Sequence, residues 1–514
     1  MTFEEKIIQS YTFKGETICL GAAINEGKVY GDSKVYLPLK TMNRHGLIAG
    51  ATGTGKTKTL QLIAEGLSKA SIPVLMMDIK GDLSGIGASG TLNDKIKERC
   101  DLLKINYTPE ATPIEFLTLS NEPGTKLRAT VLEFGPVLFS KILGLNDTQS
   151  SIVSMIFKYC DDHHLPLLDL KDIIRVLQYL TNEGKDEIKA EYGNISTQST
   201  GTILRKIVEL QQQKAEMFFG EKSFEVDDLM RYNDEGKGMV SIVRVTDLQD
   251  RPKLFSTFML QMLAELYAIL PEAGDLDKPK LVLFLDEAHL IFQDAGSALL
   301  QQLETIIKLI RSKGVGIFFI TQNPNDIPQS ILGQLGLKVQ HALRAFTAKD
   351  REDIVKVSKN FPDTAFYKTD DLITKMGIGE ALITLLNEKG IPTELVHTMI
   401  CPPCGRMDVL NNDEIQSIIN QSKIINKYNQ VIDEISAYEL LNQKIQNIKE
   451  EQEPKTTPTA ERSKQKTEKS TLDSILSSSI TKQVGRTAAS IVTRTLLGVL
   501  GFGGSSTRKK KGWF

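Results

Sequence analysis

Several features that mark other protein classes are scarce in this chain of 514 residues. It has only five cysteines, a sparse and odd number that is typical of a protein from a reducing compartment. No apolar stretch approaches the roughly 18 residues of a membrane span. The acidic start Met1–Glu5 is not followed by the apolar core of a signal peptide. We therefore expect a cytoplasmic protein.

A strong charge of one sign is also missing. The 62 Lys and Arg residues nearly balance the 64 Asp and Glu residues, and the net charge is −2. The chain as a whole thus lacks the basic excess of an obligate nucleic-acid-binding protein, although a ring needs basic residues only along its pore. Hydrophobic residues make up 41% of the chain, which is ample for a core, and the length suggests about three or four domains.

The chain does contain a phosphate-binding loop. Residues 50–57 read Gly-Ala-Thr-Gly-Thr-Gly-Lys-Thr and match the pattern GxxxxGK[ST]. Glycines let successive N–H groups curl around a β-phosphate, the lysine reaches the β- and γ-phosphate oxygens, and the threonine hydroxyl binds Mg²⁺. An apolar run precedes the loop and a helical pattern follows it, as expected for a strand that leads into a helix N-terminus. The pattern predicts an NTPase, and its candidate nucleotide contacts are Gly50, Ala51, Thr52, Gly53, Thr54, Gly55, Lys56, Thr57 and Lys58.

A second motif consists of an apolar run that ends in two acidic residues. Leu281–Leu285 is entirely apolar, as in a strand buried on both faces, and Asp286 and Glu287 follow it. Asp286 is the candidate to complete the Mg²⁺ shell with Thr57. Glu287 is the candidate to polarise the water that attacks the γ-phosphate. A plain helix N-cap is the alternative explanation for this acidic pair.

Two further strand ends carry polar residues. Gly314–Thr321 reads as another buried strand, and Gln322 at its end is a candidate sensor of the γ-phosphate. The order of phosphate loop, acidic strand and polar strand end indicates a sheet whose carboxyl ends converge on a ligand. Asp78 and Asp82 follow a fourth apolar run. They either order water or a partner subunit at the same rim, or they form a turn around Lys80-Gly81.

These motifs resemble those of bacterial HerA-like ATPases of the FtsK–HerA superfamily, in particular its YjgR-type branch. The resemblance runs from about Gly21 to about Pro403. It implies an α/β fold with a RecA-like P-loop NTPase core, a mainly parallel sheet flanked by helices. It also implies hydrolysis of ATP with Mg²⁺ and a homo-oligomeric ring, usually hexameric, with ATP between subunits. The matching motifs are Asn43–Thr57, Met77–Gly85, Leu285–His289, Phe319–Pro324 and Gln340–Phe346.

The resemblance also assigns roles to single residues. It gives Lys56 and Thr57 the phosphate and Mg²⁺ roles, Asp286 the metal shell, Glu287 water activation and Gln322 the sensor role. A ring ATPase usually supplies an arginine from a neighbouring subunit to stabilise transition-state charge. Arg311 and Arg344 are the two candidates here, and an ordinary ion pair is the alternative for each.

Patterns along the chain predict a segmented organisation. We expect a short N-terminal β segment (1–40), an ATPase core (41–90 and 237–403), a helical insertion (91–236), an amphipathic helix (411–450), a linker (451–479) and a basic amphipathic tail (480–514). From Lys455 to Phe514 there are twelve Lys and Arg residues and three Asp and Glu residues. Such a tail suits packing on the core or on a neighbour, a membrane surface, another protein, or DNA phosphates.

We interpret the chain as an ATP-hydrolysing ring motor of the HerA/FtsK type that translocates double-stranded DNA. Two alternatives remain open at this point. One is a secretion-type ATPase that acts on protein. The other is an ATP-gated protein with slow turnover that controls assembly or membrane docking through the basic tail. Glu287 argues against the last alternative, because a switch needs no hydrolytic base.

Overall fold

The computed structural model describes residues 1–246, 251–274, 276–292, 297–430, 432 and 435–452. The chain divides into two compact units. The larger comprises Met1–Leu127 and Phe224–Asn429, and the smaller comprises Arg128–Ser223 and the described residues from Gln430 to Gln452. Apart from the helix end at 451–452, the predicted linker (451–479) and basic tail (480–514) lie outside the described residues.

One sheet forms the centre of the larger unit. Its order is β2-β1-β12-β11-β10-β3-β9-β8-β4-β7-β5-β6 among the described residues, with labels in chain order. The strands are β1 (Thr17–Asn25), β2 (Lys28–Pro38), β3 (Gly46–Ala49), β4 (Val74–Asp78), β5 (Ile114–Thr118), β6 (Thr125–Lys126), β7 (Val240–Arg244), β8 (Leu281–Leu285), β9 (Val315–Thr321), β10 (Leu337–Gln340), β11 (Glu380–Thr384) and β12 (Val396–Ile400).

The strands from β10 to β6 in this order are parallel. Every residue of β3, β4, β8 and β9 is buried, because these strands are apolar on both faces and are covered on both sides. β9 lies between β3 and β8, so the strand that precedes the phosphate loop and the acidic strand are not direct neighbours. The predicted fold class, an α/β RecA-like core with a mainly parallel sheet, is confirmed.

The other half of the sheet is antiparallel. β11 pairs with β10 and β12, and β12 pairs with β1, which in turn pairs with β2. β11 and β12 form a hairpin around Asn387–Gly390. The N-terminal residues, predicted as a short β segment (1–40), contain strands of 9 and 11 residues, β1 and β2. They also contain a helix, Phe3–Ser10, and they extend the core sheet instead of forming a separate segment.

Helices cover the sheet and build the smaller unit. None of the described helices is long and apolar enough to cross a membrane. They are α1 (Phe3–Ser10), α2 (Lys56–Lys69), α3 (Asp94–Leu103), α4 (Val131–Ile142), α5 (Asp147–Asp162), α6 (Leu170–Thr181), α7 (Lys185–Glu191), α8 (Thr197–Gln212), α9 (Pro252–Ile269), α10 (His289–Phe292), α11 (Ser297–Ile310), α12 (Gln329–Leu332), α13 (Ala348–Ser358), α14 (Thr369–Lys375), α15 (Asn412–Asn420), α16 (Ile425–Asn429) and α17 (Ala437–Gln452).

The helical insertion is shorter than the predicted range 91–236. Helices α4 to α8 lie within Arg128–Ser223, whereas α3, β5 and β6 belong to the larger unit. The sequence pattern missed β5 because Glu115 interrupts its apolar run. In the structure Glu115 is buried, and its Oε2 lies 2.8 Å from Nη2 of Arg231, which compensates the buried charge.

The predicted single amphipathic helix 411–450 is wrong. The segment forms three helices, α15, α16 and α17, and the first two belong to the larger unit and the third to the smaller unit. Capping side chains mark the starts of separate helices within this segment. Asn411 and Glu414 form a capping box at the start of α15, and the N–H of Ser436 donates to Glu439 before α17.

Candidate nucleotide-binding site

The phosphate loop connects the end of β3 to the start of α2. Gly50, Gly53 and Gly55 have φ values of 152°, 76° and 112°, a region that residues with a Cβ rarely adopt. A Cβ at Gly50 would also lie 2.5 Å from Cβ of His341. The curled backbone of the loop therefore requires glycine, and helix α2 begins directly after it at Lys56.

Three separate segments hold the loop through backbone hydrogen bonds. The N–H of Gly50 donates to the carbonyl of Thr321 (3.2 Å), and the N–H of Ala51 donates to the carbonyl of Ala342 (2.8 Å). The carbonyl of Thr54 accepts from the N–H of Gly379 (3.0 Å). The loop is thus fixed from β9, from the segment after β10 and from the residue that precedes β11.

The side chains of Lys56 and Lys58 contact different parts of the structure. Lys56 is buried, and its Nζ donates to the carbonyl of Ala51 (3.1 Å), so its ammonium lies against the loop. Nζ of Lys58 donates instead to Oε1 of Gln61 (3.3 Å) and to the carbonyl of Met407. The side chain of Lys58, a predicted nucleotide contact, is thus engaged by Gln61 and Met407.

Asp286 and Glu287 are buried at the carboxyl end of β8. Burial, with the neighbouring charge of Glu287, raises the pKa of Asp286 to about 7. Burial also opposes the charged form of Glu287, but hydrogen bonds from Lys80 and Gln322 outweigh it and lower the pKa of Glu287. Glu287 has a φ of 45°, a strained backbone conformation that is often found at functional sites.

Gln322 links the loop to this carboxylate. Oε1 of Gln322 accepts from the hydroxyl of Thr52 (3.2 Å), and its Nε2 donates to Oε1 of Glu287 (3.1 Å). Oε2 of Glu287 lies 3.2 Å from Nδ1 of His289. The structure therefore places the phosphate loop, the acidic strand end and the polar strand end in one connected group.

Asp78 and Asp82 have different surroundings. The carboxylate of Asp78 accepts from the N–H groups of Gly81 (2.7 Å), Asp82 (3.1 Å) and Leu83 (3.4 Å), so it builds the turn. Burial, with the nearby charge of Asp82, raises the pKa of Asp78 to about 6. Asp82 instead faces the phosphate loop, where its Oδ2 accepts from the hydroxyl of Thr57 (3.2 Å).

The site fits a magnesium nucleotide. Oδ1 of Asp82 is buried and has no hydrogen-bond partner among the described residues. It lies in the same group as the Thr57 hydroxyl and the buried Asp286, and such hard oxygen atoms are the ligands that Mg²⁺ prefers. The glycine-rich loop at the N-terminus of α2 provides N–H groups for phosphate oxygens.

Sequence reasoning assigned no role to Lys80 or His341, although both lie in the motifs that carry the family resemblance. Lys80 forms an ion pair with Glu287. Nδ1 of His341 lies 2.9 Å from the carbonyl of Glu380, which can only accept, so Nδ1 carries the proton. Nε2 then accepts from the hydroxyl of Thr59 (2.9 Å). Burial lowers the pKa of His341 to about 4, so the ring is neutral.

The two candidate arginines lie at opposite ends of the parallel strands. Arg311 is exposed and precedes β9, whereas the phosphate loop lies at the carboxyl end, roughly 20 Å along the strand. Arg344 is exposed and follows β10 at the phosphate-loop end, where its Nη1 donates to the carbonyl of Thr374 (3.1 Å). Arg311 is therefore not brought together with the nucleotide site of its own chain.

Comparison with known proteins gives the family. The family described as helicase HerA-like, C-terminal, matches residues 24–508. The chain belongs to this family.

Among curated HerA-like relatives is the protein named DNA double-strand break repair helicase HerA of Sulfurisphaera tokodaii. It is 23% identical over 376 residues, which cover 71% of this chain and 68% of that protein. The protein of the same name from Saccharolobus solfataricus is 21% identical over 385 residues, with 74% and 68% covered. As a HerA-like protein, the chain is a P-loop ATPase of the FtsK–HerA type.

Solved structures with a similar chain course include VirB4 of Thermoanaerobacter pseudethanolicus, with a TM-score of 0.49 and 15% identity over 79% of this chain and 100% of that chain. Another is the bacterial conjugative coupling protein TrwBdeltaN70, with a TM-score of 0.49 and 13% identity over 80% of this chain and 95% of that chain.

Proposed function

We propose that this HerA-like ATPase is a motor that translocates double-stranded DNA as a homohexameric ring. The observation that carries the hydrolytic part is the charged, buried Glu287, which Gln322 connects to the phosphate loop. The names of the curated relatives, DNA double-strand break repair helicases, support DNA as the polymer.

In the proposed reaction Lys56 and the loop N–H groups bind the phosphates of ATP. Thr57, Asp82 and Asp286 would hold Mg²⁺, which when bound neutralises charge on the phosphate oxygens. Glu287 accepts a proton from the attacking water while the bond between the γ-phosphorus and the bridging oxygen of ADP breaks. Gln322 positions Glu287 and responds to the γ-phosphate. An arginine from a neighbouring copy stabilises the transition-state charge.

Exposed apolar side chains near the site support self-association. Phe346 follows β10 and is 87% exposed, and Ile378 precedes β11 and is 70% exposed. Because β11 is antiparallel to β10, both residues lie at the same end of the strands as the phosphate loop. Ile378 directly precedes Gly379, which bonds to the loop. Apolar surface at this end favours burial by another copy of the chain.

The test is steady-state ATP hydrolysis with and without long double-stranded DNA at low salt, where phosphate contacts are least screened. We expect turnover to rise several-fold with DNA. Glu287→Gln is the matched control, because it removes the base but keeps the shape of the side chain, and its turnover should vanish while ATP binding persists.

Two results would count against this proposal. Turnover that depends on Glu287 but ignores DNA would reject the DNA polymer and favour a protein substrate. Turnover that persists in Glu287→Gln would reject the assigned base. Single-stranded DNA of equal mass separates a duplex requirement from a general response to polyanions.

A further inference from the structure

The turn after β4 carries a lysine into the nucleotide site. Asp78 builds this turn by accepting three backbone N–H groups, and Gly81 adopts a φ of 76° within it. The turn therefore has a defined shape, and Lys80 at its tip is presented to the carboxyl ends of the neighbouring strands. The side chain of Lys80 is 37% exposed, so it has room to move toward a ligand.

Lys80 forms an ion pair with Glu287, the proposed base. Its ammonium contacts Oε1 of Glu287, whose side chain is only 6% exposed. The same oxygen accepts from Nε2 of Gln322 (3.1 Å). A carboxylate oxygen has two lone pairs, so both on Oε1 are engaged. Oε2 is buried without a hydrogen-bond partner among the described residues and lies 3.2 Å from Nδ1 of His289. Oε1 can take a proton from water only after one of its two present donors leaves.

Lys80 also shares the site with a second cation. Burial, followed by the positive charge of Lys80, lowers the pKa of Lys56, so the two ammonium groups interact across the site. A γ-phosphate near Lys56 would attract both ammonium groups and would compete with Glu287 for Lys80. A bound nucleoside diphosphate lacks that competing anion.

We propose that Lys80 is a positioning residue that restrains Glu287 in the empty and ADP-bound site and moves to the γ-phosphate when ATP binds. This inference rests on the proposed role of Glu287 in hydrolysis. With Lys80 on the γ-phosphate, Oε1 of Glu287 accepts a proton from water as the water oxygen bonds to phosphorus. ADP leaves with the electron pair of the broken phosphorus–oxygen bond.

The test is a set of binding titrations on the full chain with ADP and with the β,γ-imido analogue of ATP. Lys80→Met keeps the aliphatic stem and removes the charge. It should weaken binding of the analogue by about tenfold and leave ADP binding nearly unchanged, because only the analogue has a γ-phosphate. Lys80→Arg keeps the positive charge and should retain most of the preference for the analogue over ADP. Lys69→Met is the matched control, because Lys69 has similar exposure (41%) and pairs with Glu110 (2.8 Å).

A double-mutant cycle tests the competition itself. Glu287→Gln removes the charge that holds Lys80, so it should strengthen binding of the analogue several-fold while Lys80 is present. The same change combined with Lys80→Met should give no gain. A merely structural role of Lys80 would not produce this dependence between the two substitutions.

The proposal would be overturned if Lys80→Met weakened the binding of ADP and of the analogue equally. It would also be overturned if Glu287→Gln changed analogue binding by the same factor with and without Lys80. These titrations need no turnover. Failure of the chain to hydrolyse ATP would therefore count against the proposed function alone, and the coupling between Lys80 and Glu287 would still be measured.

Discussion

The hydroxyl of Thr59 and Nε2 of His341 lie 2.9 Å apart, and both side chains are buried. Thr59 is in the first turn of α2, and His341 directly follows β10. The pair ties the helix that carries the phosphate loop to the neighbouring strand. Since Nδ1 of His341 donates to Glu380, the hydroxyl of Thr59 is the donor that satisfies the other ring nitrogen.

Thr59→Val should lower the free energy of unfolding by about 1–3 kcal/mol, because it leaves Nε2 of His341 buried without a donor. Thr59→Ser keeps the hydroxyl, so its free energy of unfolding should fall by much less. Urea unfolding followed by circular dichroism measures both. Equal stability of the valine and serine variants would contradict the assigned hydrogen bond.

Stability should also depend on pH through two buried histidines. Burial lowers the pKa of both His45 and His341 to about 4, below the ordinary value of 6.5. Their neutral forms stabilise the fold above pH 6.5, and this contribution is lost as pH falls toward 4, by about 3 kcal/mol for each histidine.

The measurement compares the wild type with His341→Gln in urea at several pH values. Asp78 and Asp286 have raised pKa values and act in the opposite direction, so the difference between the two proteins is more informative than either curve alone. The stability gap should narrow as pH falls from 6.5 to 4. A gap independent of pH would show that His341 is not held neutral.

Gly379→Ala should weaken nucleotide binding. Gly379 has a φ of 76°, and a Cβ there would lie 2.9 Å from Nη1 of Arg99, whose guanidinium donates to the carbonyl of Gly379 (3.0 Å). A shift of this backbone would disturb the hydrogen bond from Gly379 to Thr54 of the phosphate loop. Titration with ADP measures the effect. Gly390→Ala is a control outside the site, because its φ of 77° imposes similar strain on the hairpin turn.

Mixing two inactive variants tests whether Arg311 acts between copies. Arg311→Ala should lower turnover by roughly 10³-fold if this arginine stabilises the transition state, with ATP binding kept. A mixture of Arg311→Ala and Glu287→Gln should recover activity, since some sites would combine an intact Glu287 with an intact Arg311 from the other copy. A mixture of Arg344→Ala and Glu287→Gln tests the second candidate in the same way. No recovery in either mixture would exclude both arginines from this role.

The sequence predicted those parts of the core whose pattern is uniform. The strands ending in Asp286 and Gln322 were recognisable because all their residues are apolar, as burial on both faces of a parallel sheet requires. β5 was missed because Glu115 is a buried charge whose partner, Arg231, is far away in the chain. Long-range partners of this kind leave no periodic signal.

The same limit applies to the candidate site. The glycines and Lys56 follow a local pattern, and the structure brings Glu287 and Gln322 next to them through the order of the strands. The contact of Lys80 with Glu287 depends on how a turn built by Asp78 meets the adjacent strand β8. Local sequence allowed a turn there but did not show what the lysine at its tip would reach.

The way the phosphate loop is held has a consequence for biosynthesis. The groups that fix Gly50, Ala51 and Thr54 come from Thr321, Ala342 and Gly379, hundreds of positions later in the chain. During synthesis the complete GxxxxGK[ST] motif therefore emerges from the ribosome long before its supports, and contacts of such sequence separation form slowly. A nascent chain that ends before β9 carries the motif without the groups that fix its shape, so ATP binding would report that the chain has folded as far as Gly379.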